Sequence, residues 1–297
     1  MRGHSENYFN DYRDHWWDKD FLDLMANRLN LHKYQKMLDV GCGLCHWSKL
    51  LVPYLQENAE VHAVDNDSKW AEANKKTASF FKKKFNADFN FYQAEANKLP
   101  FPDNTFDFVT CQTVLIHLKN PQGALKEMKR VLKPGGTILC VEPNNRVQNL
   151  AKSSISDKAS IDETLEHVKY ALICELGKKK LGHGDNSLGG LLPGMFAKAK
   201  FKDIEVRLSD KAIAMYPPYT KQEQRATLQQ WATGSTWSSG GLTDKDYFDA
   251  AGKQYRKFFE AYQQKYKNAN EELIEALAEQ QYHAAGGAMM YLVSGVK

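Results

Sequence analysis

The stretch MLDVGCGLCHWSKLL, residues 37–51, constrains this chain more than any other. Met37, Leu38 and Val40 make a short apolar run of strand character, and Trp47, Leu50 and Leu51 recur at helical spacing just behind it. Gly41-Cys42-Gly43 is therefore a strand-to-helix turn. Glycine has no Cβ and takes positive φ without penalty, and the amides that open the following helix can receive polar or anionic groups of a ligand. The third glycine of the dinucleotide fingerprint is missing, because His46 or Trp47 holds its place. That weakens a pyrophosphate-binding reading.

The next strand, AEVHAVDND at residues 59–67, carries Asp65 toward its end. An acid about twenty residues beyond the glycines, at the carboxyl end of the second strand, is where a nucleotide-binding sheet places its ribose acceptor. DFNFYQAEANKLPF at 88–101 supplies a third strand reaching Glu95, and FDFVTCQTVLIHL at 106–118 a fourth. GALKEMKRVL then reads as a helix closed by the KPGG of 133–136, and TILCVEP at 137–143 as a fifth strand. Strands alternating with helices predict a parallel sheet with crossover helices. Beyond Pro143 the rhythm breaks. Residues 146–200 are helical in pattern and interrupted by GHGDNSLGG, FKDIEVRLS at 201–209 gives a sixth strand, and 222–282 is again helical around TGSTWSSGG at 233–241. AMMYLVSGV at 288–296 is a last strand, so two helical insertions flank the sixth and are expected to fold onto the same sheet as a cap.

Composition removes several classes of protein. A net charge of +4 with scattered lysines predicts no nucleic-acid groove; the runs FKKKF and GKKKL read as solvated helix faces. No apolar stretch approaches the ~20 residues of a membrane span, and the acidic, aromatic N-terminus is unlike a signal peptide, so a cytoplasmic protein is expected. Five cysteines make no disulfide framework, and the Cys42/Cys45 pair has no second pair at zinc spacing, so no metal is expected.

Taken together, LDVGCG at 38–43, VDND at 64–67, LPFPDNTFDFV at 99–109, His117-Leu118 and EMKRVLKPGG at 127–136 resemble the class I S-adenosylmethionine-dependent methyltransferases, in the branch similar to the ubiquinone and menaquinone methyltransferases. The matching residues cover about the first half of the chain. The resemblance implies an α/β fold: a Rossmann-like seven-stranded methyltransferase sheet with helices on both faces, whose last strand inserts antiparallel beside the fifth. It implies S-adenosyl-L-methionine as cofactor and S-adenosyl-L-homocysteine as product. On that basis Asp39 and the backbone of Gly41, Cys42 and Gly43 face the methionine end, and Asp65, with Asn66 beside it, takes the ribose hydroxyls. Glu95 and the Ala96 amide meet the adenine, although relatives more often carry aspartate there, and the Gln112 carbonyl holds the ammonium. Two humbler readings stand beside these: Asp39 as a cap of the turn and Asp65 as a cap of the next helix.

Methyl transfer from a sulfonium is an in-line displacement, so the protein chiefly positions the acceptor and keeps water out. A general base is needed only for a protonated acceptor, and it must stand at the carboxyl ends of the fourth and fifth strands. His117 and Glu142 are the catalytic candidates, with Asn144 and Asn145 beside the acceptor. His117 is equally readable as a packed histidine, and Glu142 as half of a salt bridge. In SENYFNDYRDHWWDKDF, residues 5–21, Tyr8, Tyr12 and Trp16 share one face of a predicted helix, with aspartates alongside. This helix is expected to be a lid whose aromatics bind the acceptor, or else an amphipathic helix packing on the sheet. YPPY at 216–219 echoes a planar-nitrogen clamp but follows the wrong strand, so it reads as a rigid turn that leaves Tyr216 at the pocket rim.

The expected organisation is a lid region at 1–36, a cofactor-binding core at 37–145, a helical cap at 146–200, and completion of the sheet at 201–297 around a helical insertion at about 222–285. The expected activity is methyl transfer to a small molecule at N, O or C, by a monomer or homodimer. The alternatives are a macromolecule (protein or RNA) methyltransferase and a non-catalytic methyltransferase-like binding module.

Overall fold

The computed structural model of the chain describes residues 11–232, 242–286 and 289–297. The segment TGSTWSSGG and Tyr8 lie outside the described residues. The described residues form two compact units: one from 17–143, 187–210 and 290–297, the other from 11–16, 144–186, 211–232, 242–286 and 289.

The first unit is built on a seven-stranded sheet. Its strands are β1 (Lys36–Val40), β2 (Glu60–Asp65), β3 (Asp88–Gln93), β4 (Phe106–Gln112), β5 (Leu132–Pro143), β6 (Lys202–Leu208) and β9 (Met290–Val296), in the order β3-β2-β1-β4-β5-β9-β6. β1 to β5 are parallel, while β9 runs antiparallel between β5 and β6, as the resemblance implies. The central strands are apolar without alternation because both faces are covered. One face presents Leu38, Val40, Val109, Cys111, Ile138 and Cys140 to α4 (Pro121–Val131) and α7 (Leu192–Lys198). The opposite face carries Asp39, Thr110 and Gln112, and lies under α1 (Lys19–Arg28) and α2 (His46–Leu51). The third crossover helix is α3 (Trp70–Phe85). At the outer strands exposure returns: Lys202, Asp203, Glu205 and Arg207 charge the β6 edge, which discourages pairing with another chain.

Two local expectations are corrected. α4 ends at Val131, just ahead of KPGG, but β5 begins at Leu132 rather than at Thr137 and runs through KPGG, where Gly135 takes φ +77° and the β4 register shifts between Phe106 and Phe108. Nor is there one N-terminal helix through Trp16. A short 3-10 turn, Asp11–His15, ends before Trp16, and α1 begins only at Lys19. The Tyr12 and Trp16 rings still meet edge to face at 5.8 Å, Trp16 standing just past the turn.

The second unit is helical: α5 (Asn145–Gln148), α6 (Ile161–Lys180), α8 (Gln222–Ala232), α9 (Asp244–Ala251), α10 (Arg256–Lys265) and α11 (Ala269–Ala278). A small ladder of β7 (Ile213–Met215) and β8 (Ala284–Gly286), too short to show in the sequence pattern, ties its ends. α6 starts in a capping box, Ser160 and Glu163 each satisfying the other's backbone amide. Its inner face meets α9 so closely that a Cβ on Gly177 would lie 1.9 Å from the Tyr247 carbonyl oxygen.

That approach yields a prediction with its own control. Gly177→Ala must push two helix backbones apart and is expected to destabilise the protein by about 1–3 kcal/mol. Gly194→Ala, inside α7 with open space around it, is expected to stabilise by about 0.5–1 kcal/mol. Urea unfolding of both variants reads the difference directly.

Candidate active site

Every cofactor residue expected from the sequence falls in the sheet unit, at the carboxyl ends of its strands. The turn after β1 is anchored on β2: the Gly41 and Cys42 amides both donate to the Val64 carbonyl, at 2.7 and 3.0 Å. Gly41 and Gly43 take φ of +72° and +48°. A Cβ at Gly41 would come within 2.4 Å of Val114 Cγ2, so glycine is needed there for space as well as for conformation.

Asp65 ends β2 beside this turn. Its Oδ2 accepts the Gly43 amide and its Oδ1 the Asp67 amide, each at 3.0 Å. α3 begins only at Trp70, and the backbone groups Asp65 holds are those of the turn and of Asp67. It is therefore not the cap of that helix. Burial pushes the Asp65 carboxyl up and the Asp67, Gly43 and Asn66 amides pull it back, while carboxylate oxygens have lone pairs for further donors. Asp39 is buried, accepts the Ser48 hydroxyl at 2.5 Å, and is pushed up to about 7 by desolvation.

The turn after β4 is held from β5. Thr113 adopts φ +53°, and its hydroxyl donates to the Gln112 carbonyl at 2.7 Å, leaving that oxygen one lone pair. Glu142 corrects an expectation. It faces neither an open cleft nor a salt-bridge partner; it is fully buried, and its carboxylate accepts the Val114, Leu115 and Ile116 amides at 2.9, 2.7 and 3.4 Å. Desolvation outweighs those donors and raises the group to about 7. Its work is to fix the short 3-10 turn Leu115–His117, on which His117 stands half-buried.

The remaining residues divide by unit. Glu95 is exposed two residues past β3, where its carbonyl accepts the Lys98 amide, and Asn66 is exposed beside Asp65. Ala96 packs on the core. The Cys42 thiol is kept protonated by burial, its partner being the Gly43 carbonyl. The acceptor-side candidates Tyr12, Trp16, Asn144, Asn145 and Tyr216 all belong to the helical unit. Asn144 leaves Oδ1 without a partner, and Tyr216 is 44% exposed with the Lys221 ammonium 5.3 Å from its ring centre. Sequence reasoning passed over Trp17 in favour of Trp16, and over the Gln112 side chain in favour of its carbonyl. The Trp-Trp doublet just ahead of an apolar helix was the available signal.

Gln112 also supplies a test of whether the site fits S-adenosylmethionine. Its side-chain Nε2 is buried with no hydrogen-bond partner, a state that costs about 1–3 kcal/mol unless a ligand supplies an acceptor. A glycine cradle that a Cβ would fill, a carboxylate with spare lone pairs and an orphaned donor suit a zwitterionic nucleoside.

Comparison with known proteins agrees. Residues 38–140 match the model of a methyltransferase domain. A demethylmenaquinone methyltransferase of Staphylococcus epidermidis is 35% identical over 203 residues, 67% of this chain and 79% of that protein. One from a Geobacillus species is 33% identical over 126 residues, 42% of this chain, and there the match spans about half (51%) of the relative. The solved structure of the YcgJ protein from a Bacillus has the same fold, with a TM-score of 0.53 at 19% identity, over 94% of this chain and 99% of that one. The fold and the glycine turn define a Rossmann-like methyltransferase domain. The chain belongs to the class I S-adenosylmethionine-dependent methyltransferases and is an enzyme of that class.

The buried acid at Asp39 predicts a pH effect. Its folded value of about 7 stands above the ordinary 3.8, so between those values the native state holds a proton that the unfolded chain has released. Its contribution to stability is therefore full below pH 4 and lost as pH rises to 7. Asp39→Asn, which still accepts from Ser48, is expected to gain on wild type by on the order of a few kcal/mol between pH 4 and 7, with flat differences outside that window. Urea unfolding at stepped pH measures it.

Proposed function

We propose that the enzyme methylates a small-molecule acceptor at N, O or C, in the cytoplasm, with S-adenosylmethionine held by Asp39, the Gly41–Gly43 turn, Asp65, Asn66, Glu95, Ala96 and Gln112. When bound, the cofactor supplies a methyl group already activated by its sulfonium. The observation that carries the reading is the Asp65 carboxylate, pinned by the Gly43 and Asp67 amides at the mouth of the glycine turn. That arrangement presents two prealigned acceptors to a vicinal diol.

The small-molecule acceptor is supported by the demethylmenaquinone methyltransferase names of the relatives and by the mild net charge of +4, which offers little to a polyanion. All five cysteines are free and buried, in keeping with a reducing compartment. Among the described residues, no helix is long and apolar enough to cross a membrane. His117 is the residue we assign to accept a proton from an acceptor that arrives protonated. Glu142 positions the turn that carries it. Tyr12, Trp16, Asn144, Asn145 and Tyr216 are the groups we assign to acceptor binding, by aromatic contact and amide hydrogen bonds.

Calorimetric titration with S-adenosylhomocysteine tests the cofactor site. Wild type is expected to bind in the micromolar range and Asp65→Ala about 100-fold more weakly, the loss of charge-assisted bonds to two hydroxyls. Unchanged affinity in the variant would overturn the assignment. Once a screen of amines, phenols and quinols with labelled methyl donor finds an acceptor, Tyr12→Ala and Trp16→Ala are expected to raise its KM while leaving the cofactor Kd unchanged.

A further inference from the structure

On the face of the sheet opposite α4, two donors are buried without acceptors. Gln112 closes β4 with 8% of its surface exposed, and its Nε2 has no partner. Trp17 precedes α1 with 7% exposed, and its indole Nε1 has none either. A chain of contacts connects the two. The Trp17 ring lies 5.3 Å from that of Trp47, and the Trp47 indole N–H is already spent on the Thr110 hydroxyl at 2.8 Å. Thr110 is two residues before Gln112 on the same strand, so their side chains share a face. Thr110 is also the register partner of Asp39 on β1. Two unmet N–H groups thus belong to one set of contacts: that of Gln112 at the carboxyl end of β4, one strand away from the glycine turn, and that of Trp17, whose ring meets the Trp47 bonded to β4.

What belongs there follows from polarity. Indole N–H donates only, and the fully buried Gln112 atom is the amide nitrogen, so an oxygen with free lone pairs would satisfy both. Acceptors for a cation stand close by in Asp39 and the Gln112 carbonyl. With the ribose assigned to Asp65 at the end of β2, a nucleoside spanning the glycine turn brings its amino-acid end to β4. We propose that Trp17 Nε1 and Gln112 Nε2 together bind the α-carboxylate of the cofactor, making Trp17 a cofactor-positioning residue outside the sheet. The inference rests on the cofactor assignment above. It explains why a tryptophan, rather than an apolar ring of simpler shape, stands before α1: phenylalanine would keep a ring against Trp47 but supply no donor.

The test separates carboxylate recognition from packing by ligand rather than by activity. Wild type, Trp17→Phe and Gln112→Met are each titrated calorimetrically with S-adenosylhomocysteine and with its decarboxylated analogue, S-adenosyl-3-thiopropylamine, which keeps the amine and lacks the carboxylate. Both substitutions are expected to weaken S-adenosylhomocysteine about tenfold and to change the analogue less than twofold. Equal weakening of both ligands would make the two residues structural and overturn the proposal, as would unchanged affinity for S-adenosylhomocysteine. Wild type that binds neither ligand would instead remove the cofactor site itself, a result distinct from either. Thermal unfolding of each variant, with Tm expected within a few degrees of wild type, shows that the titrations report on folded protein.

Discussion

The close approach of Gly41 to Val114 is the constraint on which the active end of the sheet depends. The turn after β1 and the turn after β4 can share so little space only because the first has no side chain to offer and the second is held in place from behind. Glu142 does the holding, through three consecutive amides starting at Val114. On its other side the glycine turn leans on the Val64 carbonyl and delivers the Gly43 amide to Asp65. A continuous set of backbone contacts therefore runs from β5 through β4 and β1 to β2, and positions the groups assigned to the cofactor along it.

Two acids are buried along this route, and both are raised to about 7 by desolvation. Burying a carboxyl costs less when backbone or hydroxyl donors meet it, and each of these is met: Asp39 by Ser48, Glu142 by its three amides. Glu142 holds a loop in place where an apolar residue would leave three amides without acceptors, and Asp39 ties β1 to the Ser48 hydroxyl of α2. Asp65 differs from both in being only part-buried at the end of β2, with its oxygens on the Gly43 and Asp67 amides.

The helical unit follows different rules. Its packing is aromatic, with Tyr170, Phe248, Phe259 and Tyr262 stacked or tilted against one another between α6, α9 and α10. Such rings tolerate polar neighbours, and the Tyr170 hydroxyl donates to Asp244 at 2.7 Å from within that cluster. Gly177 sets the spacing of the two central helices, as Gly41 does for the two turns of the sheet unit.

Much of the sheet was legible in the sequence because buried parallel strands are continuous apolar runs and their turns are marked by glycine and acids. The strands around Leu38, Val64, Val109 and Val141, the glycine turn and Asp65 could all be read that way, and so could the family. Local pattern misplaced what long-range pairing decides. KPGG looks like a boundary between helix and strand, yet β5 already starts at Leu132 and runs through it; Tyr12 and Trp16 keep helical spacing, yet the 3-10 turn ends at His15. The role of Glu142 was beyond reach, since a carboxylate at a strand end reads the same whether it faces solvent or three amides 26 to 28 residues away. The orphaned donors of Trp17 and Gln112 were hidden for the same reason. Residue type determines what a group can donate or accept, but only the folded chain decides which partners it meets and which it leaves for a ligand.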